Sequence, residues 1–208
     1  MNNVERLSAG IRELSLDLPA ATEERLGRYL GLLAKWNRTY NLTAVRDEAE
    51  MVAVHLLDSL AVVPFLGAIG NLADVGSGAG LPGIPLALAR PEMQVTLIES
   101  SQKKASFLQQ AKIELGLINV SIHCGRVELA TGLPPFDAVI SRAFSDLAEF
   151  AFLAGHLLTP GGRLLAMKGI EPQDEIARLP TGWRLRQCLP LVVPGLAAQR
   201  HLIVIERA

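Results

Sequence analysis

The stretch Leu72-Ala73-Asp74-Val75-Gly76-Ser77-Gly78-Ala79-Gly80-Leu81-Pro82-Gly83 restricts the possible folds more than any other part of the chain. A short apolar run ends on an acid and a valine, and a glycine-rich turn and the start of a helix follow. Leu72 to Val75 reads as a buried parallel strand. Gly76 and Gly78 can take positive φ, and they carry no Cβ to obstruct a ligand pressed against the backbone. The helix beyond would aim its amide end at the same point. In open α/β sheets such a crevice, past the carboxyl end of a central strand, takes nucleotide-like ligands. The glycines alone also fit a plain tight strand-to-helix turn, the lesser of the two readings. A second apolar run, Val95-Thr96-Leu97-Ile98, ends in Glu99. That acid follows the glycines by roughly 20 residues, the spacing at which a carboxylate accepts from ribose hydroxyls.

From Asn71 onward the pattern alternates strand and helix, which predicts a parallel sheet with helices on both faces. Strands are expected near 72–76, 94–99, 119–124, 137–141 and 163–168. Helices are expected near 82–89, 102–115, 126–130 and 146–158, and a short one near 173–179. Ser101 caps the second of these and Gly116 stops it; Pro160-Gly161-Gly162 reads as a turn before the fifth strand. Residues 183–193 and 201–206 read as two further strands. The loop between them, from Pro194-Gly195, is too short for a crossover helix, so this pair should be antiparallel.

Ahead of the sheet the periodicity is helical. Val4, Leu7, Ile11 and Leu14 share one face, and Leu18-Pro19 interrupts it. Thr22 is placed to cap a second helix with apolar positions Leu26, Leu30 and Leu33. Asn41-Leu42-Thr43 ends that helix, and a third begins near Asp47 and carries Met51, Val54, Leu57 and Leu60. The expected organisation is a helical cap over 1–66 and a sheet domain over 67–208, with the joint at Gly67 to Gly70.

The chain has 208 residues, of which 50% are hydrophobic, and a formal net charge of −1. That balance argues against nucleic-acid binding by bulk charge and leaves room for a local basic face. Cys124 and Cys188 are far apart and form no metal-ligand cluster, so a reduced, cytoplasmic setting is expected and no metal. The start Met1-Asn2-Asn3-Val4-Glu5 lacks a basic segment followed by an apolar one, so no signal peptide is expected. No apolar run approaches the roughly 20 residues of a membrane span. A monomer is expected.

Asp74 before the first glycine and the third glycine at Gly80 make the turn resemble the first motif of S-adenosylmethionine-dependent methyltransferases more than a dinucleotide fingerprint. Further strings line up around it: Lys35-Trp36-Asn37-Arg38-Thr39-Tyr40-Asn41-Leu42-Thr43, Arg46-Asp47 and His55-Leu56-Leu57-Asp58-Ser59 before the turn. After it come Gly125-Arg126-Val127-Glu128, Ile140-Ser141-Arg142-Ala143-Phe144, Lys168-Gly169 and Arg200-His201-Leu202-Ile203-Val204-Ile205. In this order and spacing the chain resembles the ribosomal RNA small subunit methyltransferase G family, also called glucose-inhibited division protein B. The resemblance covers nearly the whole chain except its first 20 residues, and no motif position departs from it. It implies a class I (Rossmann-like) fold with a seven-stranded, mostly parallel sheet. It implies methyl transfer from S-adenosyl-L-methionine to guanine N7 at one position of 16S ribosomal RNA, with the small ribosomal subunit as partner. The family's cofactor positions fall on Gly76, Leu81, Val127, Glu128 and Arg142; the reading of the residues themselves adds Gly78 and Glu99.

Each position also has a plainer reading. Glu99 is a ribose acceptor or a solvated acid at a strand end. Val127-Glu128 meets an adenine, by a backbone amide and the Glu128 carboxylate, or is an ordinary first-turn acid. Arg142 pairs with the methionine carboxylate, guides an RNA phosphate, or bridges to a local acid such as Asp146. Arg46, Lys168, Arg200 and His201, with Lys35 and Arg38, are candidates for an RNA-facing patch, though each alone fits a solvated surface charge. Phe144 is the candidate to stack the target base. His55 reads as a satisfied buried histidine, and Trp36 and Tyr40 as core. Guanine N7 carries a lone pair and no proton, so no general base is expected. Two rivals stay open on the residues alone: a nicotinamide-dependent oxidoreductase, which shares the strand, the glycines and Glu99, and a non-catalytic RNA-binding assembly factor.

Overall fold

Seven strands form a single sheet in the computed structural model, which describes residues 2–144 and 146–208. They are β1 (Asn71–Val75), β2 (Gln94–Glu99), β3 (Val120–Cys124), β4 (Phe136–Ser141), β5 (Leu158–Lys168), β6 (Trp183–Pro190) and β7 (His201–Arg207). Their order across the sheet is β3-β2-β1-β4-β5-β7-β6. The first five run parallel, and β7 is antiparallel to both β5 and β6; the short 191–200 connection accounts for the β6–β7 pairing. The chain leaves β1 toward β2 on one side and returns to β4 on the other. The carboxyl ends of β1 and β4 therefore flank the switch point where such sheets open a crevice.

Among the described residues, eight α-helices surround the sheet: α1 (Asn3–Glu13), α2 (Thr22–Tyr40), α3 (Glu48–Met51), α4 (Asp58–Leu60), α5 (Gly83–Ala89), α6 (Gln102–Leu115), α7 (Leu147–Ala154) and α8 (Gln173–Ala177). Alternation along each strand sends successive side chains to opposite faces. Leu72, Leu97, Ile140 and Leu165 pack on one face with the N-terminal helices, α5 and α6. Ala73, Val75, Ile98, Val139 and Leu164 pack on the other with α7. Leu7, Leu26 and Leu33 of the first two helices belong to the same apolar cluster as Leu72 and Leu97, so the N-terminal helices and the sheet share one core.

Several local expectations are corrected. Thr22 is not the cap of α2: Ala21 occupies that position at φ 64, and Thr22 Oγ1 instead donates to the Leu88 carbonyl at 3.3 Å. The tertiary bond to α5 outcompetes the local one. Val4 is exposed although it shares the spacing of Leu7 and Ile11. The third helix is not uniform, because Val52–Leu57 is a π-helical segment between α3 and α4. Pro160-Gly161-Gly162 lies inside β5, where the register with β4 shifts between Phe136 and Ala138 and Gly161 takes φ 80. The glycines serve a bulge there, not a turn. The helix expected over 126–130 is one 3-10 turn, Val127–Leu129. Ser101 and Gly116 do bound α6: the serine hydroxyl accepts from the Lys104 amide at 3.5 Å, and the glycine closes the helix at φ 59.

Candidate functional site

The turn after β1 is built by backbone geometry and by two buried acids. Gly76, Gly78 and Gly80 take φ 68, 57 and 86. A Cβ on Gly76 would lie 2.7 Å from the Ala143 Cβ, so that glycine is required by packing against the segment after β4. A Cβ on Gly78 would meet nothing nearer than 3.8 Å, so the space above it is open. Glu99, 5% exposed at the end of β2, holds this turn directly. Its Oε2 accepts from the Gly78 amide and its Oε1 from the Ser101 amide, both at 2.8 Å. Glu99 is therefore a buried brace of the turn and not a solvated strand-end acid. A carboxylate offers about four lone-pair sites, so these two bonds leave capacity for further donors.

Asp74 corrects the expectation that the helix after the turn aims its amides at the ligand. Its Oδ2 accepts from the Gly83 amide, the first residue of α5, at 2.8 Å. The amide end of α5 is thus engaged by the chain's own carboxylate. Asp74 is fully buried, which pushes its pKa up to about 7, against the pull of the Gly83 amide and of Arg142. Oδ1 of Asp74 and the Ser77 hydroxyl are buried without a hydrogen-bond partner among the described residues. The Tyr29 hydroxyl, from α2, donates to the Ala79 carbonyl at 2.6 Å and pins the far side of the same turn.

Two hollows flank Phe144. The first, about 170 Å³, is lined by Val75, Gly76, Gly125, Val127, Glu128 and Phe144, among others. It brings together Gly76, Val127 and Glu128 as expected from the sequence. The Glu128 side chain stays accessible there beside Arg126 at 3.2 Å. The second, about 700 Å³, is lined by Arg142, Phe144, Lys168 and residues of the 169–178 segment. Phe144 stacks on Phe150 with ring centroids 4.9 Å apart, so one aromatic wall separates the two spaces. Leu81 and Gly78 line neither hollow. Leu81 is buried beneath the turn.

The basic candidates do not form one exposed patch. Lys168 is half-buried, pairs with Glu175 at 2.8 Å and donates to the Phe144 carbonyl at 3.2 Å. Arg142 does not bridge to Asp146, which instead caps α7 through the Ala148 and Glu149 amides. Arg142 faces Asp58 at 3.3 Å, and Arg200 Nε donates to the other oxygen of Asp58 at 3.1 Å. His201 Nδ1 lies 3.2 Å from the Gly169 carbonyl, beside the second hollow. Arg46 is spent on the end of α2, on the Asn37 carbonyl at 2.9 Å and Asn41 Oδ1 at 2.5 Å, and lines neither hollow. Arg38 meets Glu48 at the surface. Lys35 lines a separate shallow hollow with Trp36 and Tyr40. Trp36 packs edge-on against Phe107, whereas Tyr40 is 38% exposed and not core. His55 is buried with Nε2 2.9 Å from the Thr43 hydroxyl, yet its Nδ1 lacks a partner among the described residues.

Sequence reasoning missed Tyr29 and Asp58 as parts of the site. Both sit in the apolar repeat of their helices, Tyr29 three residues after Leu26 and Asp58 four after Val54. A polar residue at a core-facing position was the available signal.

The fold is that of the class I methyltransferases. The tomaymycin-synthesis O-methyltransferase TomG of Streptomyces achromogenes, solved in complex with SAM, superposes with a TM-score of 0.62 at 18% identity, covering 100% of both chains. The chain itself belongs to the rRNA small subunit methyltransferase G family, whose profile matches residues 22–203. It is 60% identical over 205 residues to the ribosomal RNA small subunit methyltransferase G of Aromatoleum aromaticum, covering 97% of each protein. It is 57% identical over 202 residues to that of Azoarcus sp. strain BH72, covering 97% of this chain and 95% of the relative.

Proposed function

We propose that this protein transfers a methyl group from S-adenosylmethionine to N7 of one guanine of 16S ribosomal RNA. The observation that carries this reading is the pair of hollows divided by Phe144 at the carboxyl ends of β1, β2 and β4. The smaller suits the purine of the cofactor, with Val127 and Glu128 at its rim and Gly76 at its floor. Glu99 supplies acceptor capacity for the sugar hydroxyls, and the open space over Gly78 admits close backbone approach. Arg142 pairs with the amino-acid carboxylate; its charge is felt at Asp74, behind the turn, as well as at Asp58. The larger hollow takes the acceptor base, stacked against Phe144, with Lys168 in its wall and Arg200 and His201 next to Gly169 beside it.

When bound, S-adenosylmethionine supplies an electrophilic methyl group on a sulfonium. N7 attacks through its lone pair, so the protein moves no proton. Its contribution is orientation, which can lower a barrier by about 7–11 kcal/mol. In A-form RNA the major-groove edge that carries N7 is too narrow for side chains, so the guanine must be unpaired or turned out. The test is incubation with labelled S-adenosylmethionine and small-subunit RNA, followed by mapping of the modified base. A single N7-methylguanine in 16S RNA is expected. Label on another atom, or on no RNA, would contradict the reading.

A further inference from the structure

Asp58 is an almost inaccessible charge beside the site. Its side chain is 2% exposed, and it holds two arginines that arrive from distant parts of the chain, Arg142 after β4 and Arg200 before β7. Burial holds its carboxyl above the usual carboxylate range, against the smaller downward pull of the two guanidinium groups. The helix that carries it is irregular at this place. Across the π-helical turn Val52–Leu57 the Asp58 amide donates to Ala53 and His55, and the Val54 carbonyl lies 3.5 Å from Arg142 Nη1. Single π-turns inside α-helices recur at functional sites because they redirect side chains and release carbonyls. The segment carrying Arg142 is braced as well: the Ser141 hydroxyl donates to the Val75 carbonyl at 2.7 Å and accepts from the Ala143 amide at 3.0 Å.

We propose that Asp58 is a positioning residue for Arg142, so that the helical cap completes the cofactor site. The proposal rests on the reading above that Arg142 meets the cofactor's carboxylate. Arg142 lines the larger hollow while Nη1 stays with Asp58. A free arginine loses much rotamer freedom on gripping an anion; one already held by a buried carboxylate has lost it on folding. Arg200 screens the same carboxylate from the other side. Removing the charge leaves two partly buried guanidinium groups with no anion between them, and each then turns toward water.

The test is a double-mutant cycle read by calorimetric titration with S-adenosylmethionine, using D58N, R142M, the pair D58N/R142M, and D58E. Titrations run below each variant's melting transition. R142M is expected to raise Kd about tenfold or more, the effect of losing a charge-assisted bidentate contact. D58N should raise Kd by a similar factor, and the pair should bind no more weakly than R142M alone. In turnover, D58N should raise KM for S-adenosylmethionine more than it lowers kcat. D58E, which keeps the charge, should bind within about threefold of the parent, and it carries the test if D58N does not fold. Unchanged affinity in R142M overturns the role of Arg142 and this inference with it. Weakened R142M beside unchanged D58N overturns the inference alone. So does a pair whose loss is the product of the two single losses, or a folded D58E that binds as weakly as R142M.

Discussion

Glu99 shows how one side chain can serve both fold and ligand. Replacing it with Ala leaves the Gly78 and Ser101 amides without their acceptors. The expected cost is about 1–3 kcal/mol of stability, with cofactor affinity at least about tenfold weaker. Denaturant unfolding and calorimetric titration measure the two separately, and unchanged affinity would remove Glu99 from the cofactor site. Asp74 and His55 make a pair of opposite sign. Asp74 keeps its proton up to about pH 7 in the fold, against 3.8 for a free carboxyl. Its contribution to stability is complete below the lower value and is lost as pH rises through the upper one. Burial and the nearby Arg142 lower His55 from 6.5 to about 4. The unfolded chain therefore takes up a proton there that the fold refuses, and stability is lost as pH falls from 6.5 toward 4. Over that window the two slopes, each up to about 1.4 kcal/mol per pH unit, oppose one another. Relative to the parent, D74N should gain stability with rising pH and H55Q should lose it. Urea unfolding at about pH 5 and about pH 6.5 reads the difference, and parallel curves for all three proteins would contradict the assignment.

Among the elements, α2 reaches the ligand turn through one hydroxyl. Tyr29→Phe removes the bond to the Ala79 carbonyl and should cost about 1 kcal/mol while leaving the ring packed. Weaker S-adenosylmethionine binding should accompany it, because the turn loses an anchor; a melting shift with unaltered affinity would make the bond purely structural. How far the elements are legible in the sequence depends on what makes them. β2 and α6 occupy the expected 94–99 and 102–115, because apolar runs, a serine cap and a left-handed glycine are local signals. The glycine turn and the Val127-Glu128 corner are legible for the same reason. The π-turn, the bulge in β5 and the release of Thr22 from capping follow from contacts with distant residues. The pairing of Lys168 with Glu175 and of Arg142 with Asp58 is likewise tertiary. A charge read along the chain looks solvated until the fold brings its counter-ion.

At the scale of the whole molecule, one apolar cluster joins the N-terminal helices to a face of the sheet. Leu33 is fully buried in it. Leu33→Ala should cost about 2–5 kcal/mol and lower the melting of helices and sheet together. Two separate transitions by calorimetry would show that the helices fold on their own account. No helix among the described residues is long and apolar enough to cross a membrane. The whole arrangement leads to the switch point between β1 and β4, where Glu99, Tyr29 and Ala143 shape one turn and Phe144 divides two spaces. The most direct measurement is a crystal structure with S-adenosylhomocysteine bound. The account predicts the purine between Val127, Glu128 and Phe144, the sugar within hydrogen-bond reach of Glu99, and the amino-acid end over Gly78 toward Arg142. A ligand seated in any other hollow, or a turn after Val75 closed by its own side chains, would contradict it.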